Sequence, residues 1–156
     1  MICMRISFIW PGKTKDARLR ALVQEYLERL SHFVRCEVKE VAPGKAASEH
    51  AGIKRESQRI LGALRQGTLT VLLEGGGQEL SSLDLAEAIR RWQNSGTKEV
   101  AIVVGGPNGF SREIAARANM RWSLSRLTFT HEMARVLVLE QIYRAYTIIR
   151  GLPYQK

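Results

Sequence analysis

Aromatic residues are scarce in this chain of 156 residues, only 7% of the total, and there are just two cysteines. The first shortage argues against a platform that holds single-stranded nucleic acid on rows of rings. Cys3 and Cys36 lie far apart in no metal-type spacing, so each is expected to be a small core residue in a reducing compartment, with no disulfide. His32, His50 and His131 show no ligand spacing with one another or with the cysteines, and no metal is expected. No apolar run nears the roughly 20 residues of a membrane span. Ile2 to Trp10 comes closest, but Arg5 interrupts it and Pro11-Gly12 ends it too early for a signal-peptide core. A soluble, cytoplasmic protein with no membrane partner is therefore expected. The G-x-G-x-x-G dinucleotide pattern and the phosphate loop ending in Gly-Lys-Ser/Thr are both missing.

Negative charge is also in short supply. Against 24 Lys and Arg stand 15 Asp and Glu, a formal charge of +9, with a sequence pI near 10.1. Such an excess favours a polyanionic partner. It persists from Gly105 onward, where eight basic residues (Arg112, Arg117, Arg121, Arg126, Arg135, Arg144, Arg150, Lys156) face three acids (Glu113, Glu132, Glu140).

What remains is enough hydrophobic content, 45%, to bury the core of a single domain spanning 1–156. Strand and helix patterns alternate along it, which reads as an α/β fold with a mostly parallel sheet flanked by helices. Ile2 to Trp10 reads as a first strand. Asp16 then caps a helix whose Leu19, Leu22, Val23, Tyr26, Leu27 and Leu30 share one face. Arg35 to Val41 alternates as a half-exposed strand, and Ser48 to Gln66 is a helix rich in Lys and Arg. Thr68 to Leu73 is an inner strand ended by Glu74-Gly75-Gly76-Gly77. Ser81-x-x-Asp84 opens a third helix, with Leu83, Ala86, Ile89 and Trp92 on its apolar face. Glu99 to Val104 is a second inner strand. A short helix from Ser111, a short strand at Trp122 to Leu124, and a long helix from Glu132 to Ile149 complete the pattern.

The last third carries the chemistry. Gly105-Gly106-Pro107-Asn108-Gly109 ends an inner strand, and turns after strand C-termini in α/β sheets form the usual binding crevice. His131 and Arg135 are four residues apart, hence on one helix face, beside the apolar Leu124 to Phe129 loop. Two readings fit that pair: a titratable ring beside a fixed cation in a pocket, or a helix start with a surface ion pair.

The segments Gly105-Gly106-Pro107-Asn108-Gly109, Leu124-Ser125-Arg126-Leu127-Thr128-Phe129, His131-x-x-x-Arg135-Val136-Leu137, Glu140-Gln141-x-Tyr143-Arg144-Ala145 and Pro153-Tyr154 occur in this order at these spacings. Together they resemble the bacterial SPOUT-class methyltransferases that modify N3 of a pseudouridine in large-subunit ribosomal RNA. The resemblance runs the whole length. It implies a C-terminal trefoil knot, which ordinary topology rules would not anticipate. It also implies a homodimer and S-adenosyl-L-methionine as cofactor, held by Leu73, Gly105 and the loop Leu124, Ser125, Arg126, Leu127, Thr128, Phe129.

For the reaction, the resemblance points to three residues. Arg135 would stabilise the negative charge that develops as the imide N3 loses its proton, His131 would act as base or position the nucleobase, and Tyr154 in the tail would stack on or hydrogen-bond it. The chain departs from the family in two places: Gln155 stands where a histidine is usual, and Glu132 where a proline is common. Without an appended RNA-binding domain, recognition is expected to rest on the basic surface and on the assembled ribosome, with its large-subunit rRNA, as preformed substrate. The alternatives are a noncatalytic ribosome-binding protein that retains the cofactor pocket, and a transfer-RNA methyltransferase of the same class.

Overall fold

The fold follows from two kinds of strand. A computed structural model describes residues 3–154. In it β1 (Arg5–Pro11), β2 (Arg35–Val41), β3 (Leu69–Glu79), β4 (Glu99–Val104) and β5 (Met120–Ser123) form one sheet in the order β2-β1-β4-β3-β5. All four pairings are parallel. The inner strands β1 and β4 are apolar on both faces, as a sheet covered on both sides demands. The edge strand β2 is only half covered, and its charged residues keep contact with water.

Period-two alternation then sorts the core into two layers. Ile6, Phe8, Trp10, Val100, Ile102 and Val104 face one side, where they meet α1 (Ala17–Leu30), α3 (Ser82–Asn94) and α5 (His131–Ile149). Ile9, Ala101 and Val103 face the other, against Ile60 of α2 (Glu49–Ala63) and Ile114 of α4 (Arg112–Arg117). The caps stand where the residue types place them. Asp16, Ser48, Ser81 and Ser111 accept from backbone amides of their helices, and Ser81 with Asp84 forms a complete capping box.

Several expectations require correction. The glycines after Leu73 do not end β3, which continues through Gly75-Gly76-Gly77 to Glu79 with a register shift against β5 between Leu73 and Gln78. Gly77 is the reason this works: a Cβ there would lie 2.7 Å from the backbone carbon of Arg121. Leu83 and Leu22 were expected on buried faces and are 61% and 38% exposed. Leu85 and Ala88 take Leu83's place, because α3 presents a slightly rotated stripe to the sheet. Cys3 is exposed at the sheet margin and is not a core residue, whereas the half-buried Cys36 packs against the core. Ile2, expected in the first strand, lies outside the described residues.

Candidate functional site

Three adjacent strands build the site. The register break of β3 after Leu73 lies beside the carboxyl ends of β4 and β5, so Leu73, Val104-Gly105 and Ser123 converge, and the segments that follow them line a cavity of about 660 Å³. This is the expected crevice of a parallel sheet, and its size suits a nucleoside-sized ligand. Gly105 forms part of the floor; a Cβ there would stand 2.9 Å from the ring of Phe110, which also lines the cavity. Backbone is thus bared where a side chain would block it.

The loop 124–129 forms the opposite wall. Ser123 Oγ donates to the Ser125 carbonyl at 2.9 Å, and Ser125 Oγ accepts from the Leu127 amide at 3.1 Å, which fixes the turn without outside help. Its side chains remain open: Leu127 is 72% and Phe129 37% exposed. Leu73, Leu124, Leu127, Phe129 and Phe110 offer apolar surface, while Glu74, paired with Arg121, and the exposed Arg126 supply charge at the rim. An apolar slot with backbone amides and a few polar groups is the usual make-up of a small-molecule site.

All eight residues expected to hold the cofactor, Leu73, Gly105 and Leu124 through Phe129, line this one cavity. Sequence reasoning missed Glu74, Phe110 and Arg121. The first follows Leu73 directly and was hidden by its reading as part of a strand-ending turn; nothing in the sequence marks Phe110 or Arg121 as lining.

The three residues expected to act on the substrate separate. His131 lines the cavity at the first turn of α5, capped by Thr130. Arg135 shares its helix face but points elsewhere. It is 1% exposed, donating from Nη2 to the Pro11 carbonyl at 2.6 Å and from Nη1 to the Gly12 carbonyl and Thr14 Oγ1 at 3.2 and 3.0 Å. Its guanidinium stacks 5.0 Å from the Trp10 ring centroid, and burial pulls its pKa down from the usual arginine value. So placed, its Nη groups are committed to the β1–α1 turn. Glu132, where a proline is common, works on the same turn by accepting from the Asp16 amide at 3.0 Å, and that bond holds its carboxyl below the ordinary range.

Tyr154 packs edge-on against Tyr143, with ring centroids 4.8 Å apart, and donates to Glu140 Oε1 at 3.1 Å. Burial and its bonds to Tyr26 and Glu140 raise its pKa, so it stays a neutral phenol. Tyr143 lies twelve residues beyond His131 along α5, about 18 Å at the rise of an α-helix, so Tyr154 stands away from the cavity of its own chain. Gln155 lies outside the described residues. Among those residues no group of His, Cys, Asp or Glu could hold a metal, and no helix is long and apolar enough to cross a membrane.

A parallel sheet in which the register break of one strand and the carboxyl ends of its two neighbours line a glycine-bearing cavity defines an α/β protein built to bind a small ligand at its carboxyl edge. The family described as Predicted SPOUT methyltransferase matches residues 4–155, and the chain belongs to it. It is a methyltransferase, and a methyl donor is implied by that family. Among its relatives, Ribosomal RNA large subunit methyltransferase H of Geotalea daltonii is 39% identical over 97% of this chain and 99% of the relative. The proteins of the same description from Gloeobacter violaceus and Trichlorobacter lovleyi are each 40% identical, over 97% of this chain and 98% and 99% of theirs.

Proposed function

We propose that this chain transfers a methyl group from S-adenosyl-L-methionine to N3 of a pseudouridine in large-subunit ribosomal RNA, acting as a homodimer on the assembled ribosome in the cytoplasm. The observation that carries this reading is the convergence of Leu73, Gly105 and the whole loop 124–129 on one cavity, with His131 at its lip. The near-full-length likeness to proteins described as large-subunit rRNA methyltransferases supports the substrate class, and the +9 charge suits a polyanion. The trefoil threading belongs to the same reading, supported by the family match and by β3 lying between β4 and β5.

Bound in the cavity, the cofactor supplies a methyl group already activated by its sulfonium. The chain's own residues do the rest. Leu73, Leu124, Leu127 and Phe129 grip the adenine, and backbone amides bared by the glycines orient the remainder. A ring nitrogen of His131 takes the N3 proton or holds the nucleobase in line, so that positioning carries much of the acceleration. Arg135 enters as a positioning residue rather than as the charge-stabilising contact. Tyr154 enters from a second copy of the chain, since its own cavity is out of reach, and this is what makes the dimer part of the reading.

The test is transfer of labelled methyl to ribosomes lacking the modification, with free ribosomal RNA and transfer RNA in parallel. Label in large-subunit RNA of ribosomes alone is expected. Label in transfer RNA overturns the substrate, and demonstrated cofactor binding without transfer to any of the three overturns the activity. His131→Ala is expected to cut kcat about 100-fold with cofactor affinity retained.

A further inference from the structure

The turn joining β1 to α1, residues 11–16, is anchored far more heavily than a surface connection needs. Its carbonyls at Pro11 and Gly12 and the hydroxyl of the buried Thr14 all accept from Arg135. The Gly12 amide donates to the Val41 carbonyl at 2.8 Å, Arg20 donates to the Thr14 carbonyl at 3.1 Å, and Glu132 accepts from the Asp16 amide. Burying a guanidinium is costly, and here the charge is directed at backbone carbonyls rather than at a carboxylate.

The anchored turn adjoins, at its two ends, segments that line the cavity. On one side Pro11 Cγ lies 3.5 Å from where a Cβ of Gly106 would sit, and Gly106 lines the cavity. On the other, Glu132 follows His131, also a lining residue. With Thr14 turned inward, Lys13 and Lys15 are turned out: both are exposed, and neither pairs with a carboxylate among the described residues. The next cation, Arg18, is already tied to Asp16 at 3.0 Å.

We propose that this turn is a phosphate clamp, in which Lys13 and Lys15 contact backbone phosphates of the RNA around the target nucleotide and Arg135, Thr14 and Glu132 are the positioning residues that hold both lysines at a set place beside the cavity. The inference rests on the rRNA reading above. Lysine ammonium groups neutralise phosphates without reading sequence, and such contacts fix the register of a nucleic acid on its protein. Register is what an enzyme with a single target nucleotide requires. A turn free to move would have to be ordered at each encounter; one already bolted to α5 would not.

The test is binding of large ribosomal subunits over a series of salt concentrations, with methyl transfer to the same subunits. For the pair Lys13→Gln/Lys15→Gln, the slope of log K against log salt is expected to fall by roughly 1.5, because each phosphate no longer neutralised removes about 0.7–0.9. KM for subunits should rise at least tenfold, with the loss falling on KM rather than kcat and methyl-donor affinity kept. Arg135→Lys, which keeps the charge but not the fork, is expected to raise KM in the same way while the salt slope stays near that of the parent, because both lysines remain. A parent chain that methylates subunits while the double variant keeps its slope and KM overturns the clamp alone. A parent chain that neither binds nor methylates subunits overturns the rRNA reading and the clamp with it.

Discussion

The two ends of the sheet handle their polar groups in opposite ways. At the amino end, Glu99 is 5% exposed between Arg5 at 2.7 Å, Arg65 at 3.0 Å and Thr68 Oγ1 at 3.1 Å. Asn119 closes the same end by pairing both ways with the Thr70 backbone, each bond 2.8 Å long, and Arg117 donates to the Thr68 carbonyl at 3.1 Å. A cavity of about 600 Å³ opens there too, yet its polar groups largely satisfy one another. At the carboxyl end β1, β2 and β4 run into glycine-bearing loops, and the charged side chains there serve different ends: Arg135 ties down a turn, Glu74 pairs with Arg121, and Arg126 stands exposed with Glu79 4.0 Å away. Similar volumes therefore mean different things. The closed end is a seal for the sheet, and the open end is the place where a ligand gains from groups left available.

Substitutions that exchange these characters test the contrast. The largest effect is expected from Gly105→Val, whose added carbons would collide with Phe110 and fill the cavity floor. Methyl-donor affinity measured by calorimetry should fall at least 100-fold, about 2.7 kcal/mol, with the sheet intact by circular dichroism. Glu99→Ala is expected to do the reverse: a loss of about 1–3 kcal/mol in urea unfolding, from the unmade bonds at Arg5, Arg65 and Thr68, with donor affinity within twofold of the parent. If Glu99→Ala weakened donor binding as strongly as Gly105→Val, the separation of the two ends would be wrong.

The smallest effect concerns acid. Asp16, at the clamped turn, has its carboxyl drawn from 3.8 to about 2, first by the Arg18 side chain and then by the Leu19 and Arg18 amides. A carboxyl whose folded pKa is depressed contributes stability that is complete above its unfolded value and is lost as pH falls through the folded one. Its contribution should therefore fade between about pH 4 and pH 2. Asp16→Asn should flatten that part of the urea-midpoint profile, and an unchanged acid limb would remove Asp16 as its source.

Much of this was legible in the chain. Caps at Asp16, Ser48, Ser81 and Ser111 are local chemistry, one hydroxyl or carboxylate against amides two or three residues on, and each stands where its residue type implied. Periodicity located the elements because burial on one or both faces imposes it. The misreadings share a cause. Gly75 to Gly77 signal a turn locally, but β5 arrives to pair beyond them and the strand goes on. Helical spacing put Arg135 on the face of His131, but a side chain that long is steered by what lies at its tip, here carbonyls of a turn more than a hundred residues earlier. Tyr154 followed the tail motif, and its rings and hydroxyl partners on α1 and α5 could be known only once those helices were packed together.

The sequence by itself determined the alternation of strands and helices, the positive charge and the helix starts, because each rests on near neighbours or on composition; Leu73, Gly105 and the loop 124–129, which line one cavity, were singled out by the family resemblance. Tertiary structure decided which glycines extend a strand, which arginine is buried as an anchor and which lysines are left facing solvent beside the cavity. Those outcomes depend on contacts between segments far apart in the chain, where burial and the satisfaction of distant carbonyls outweigh local preference.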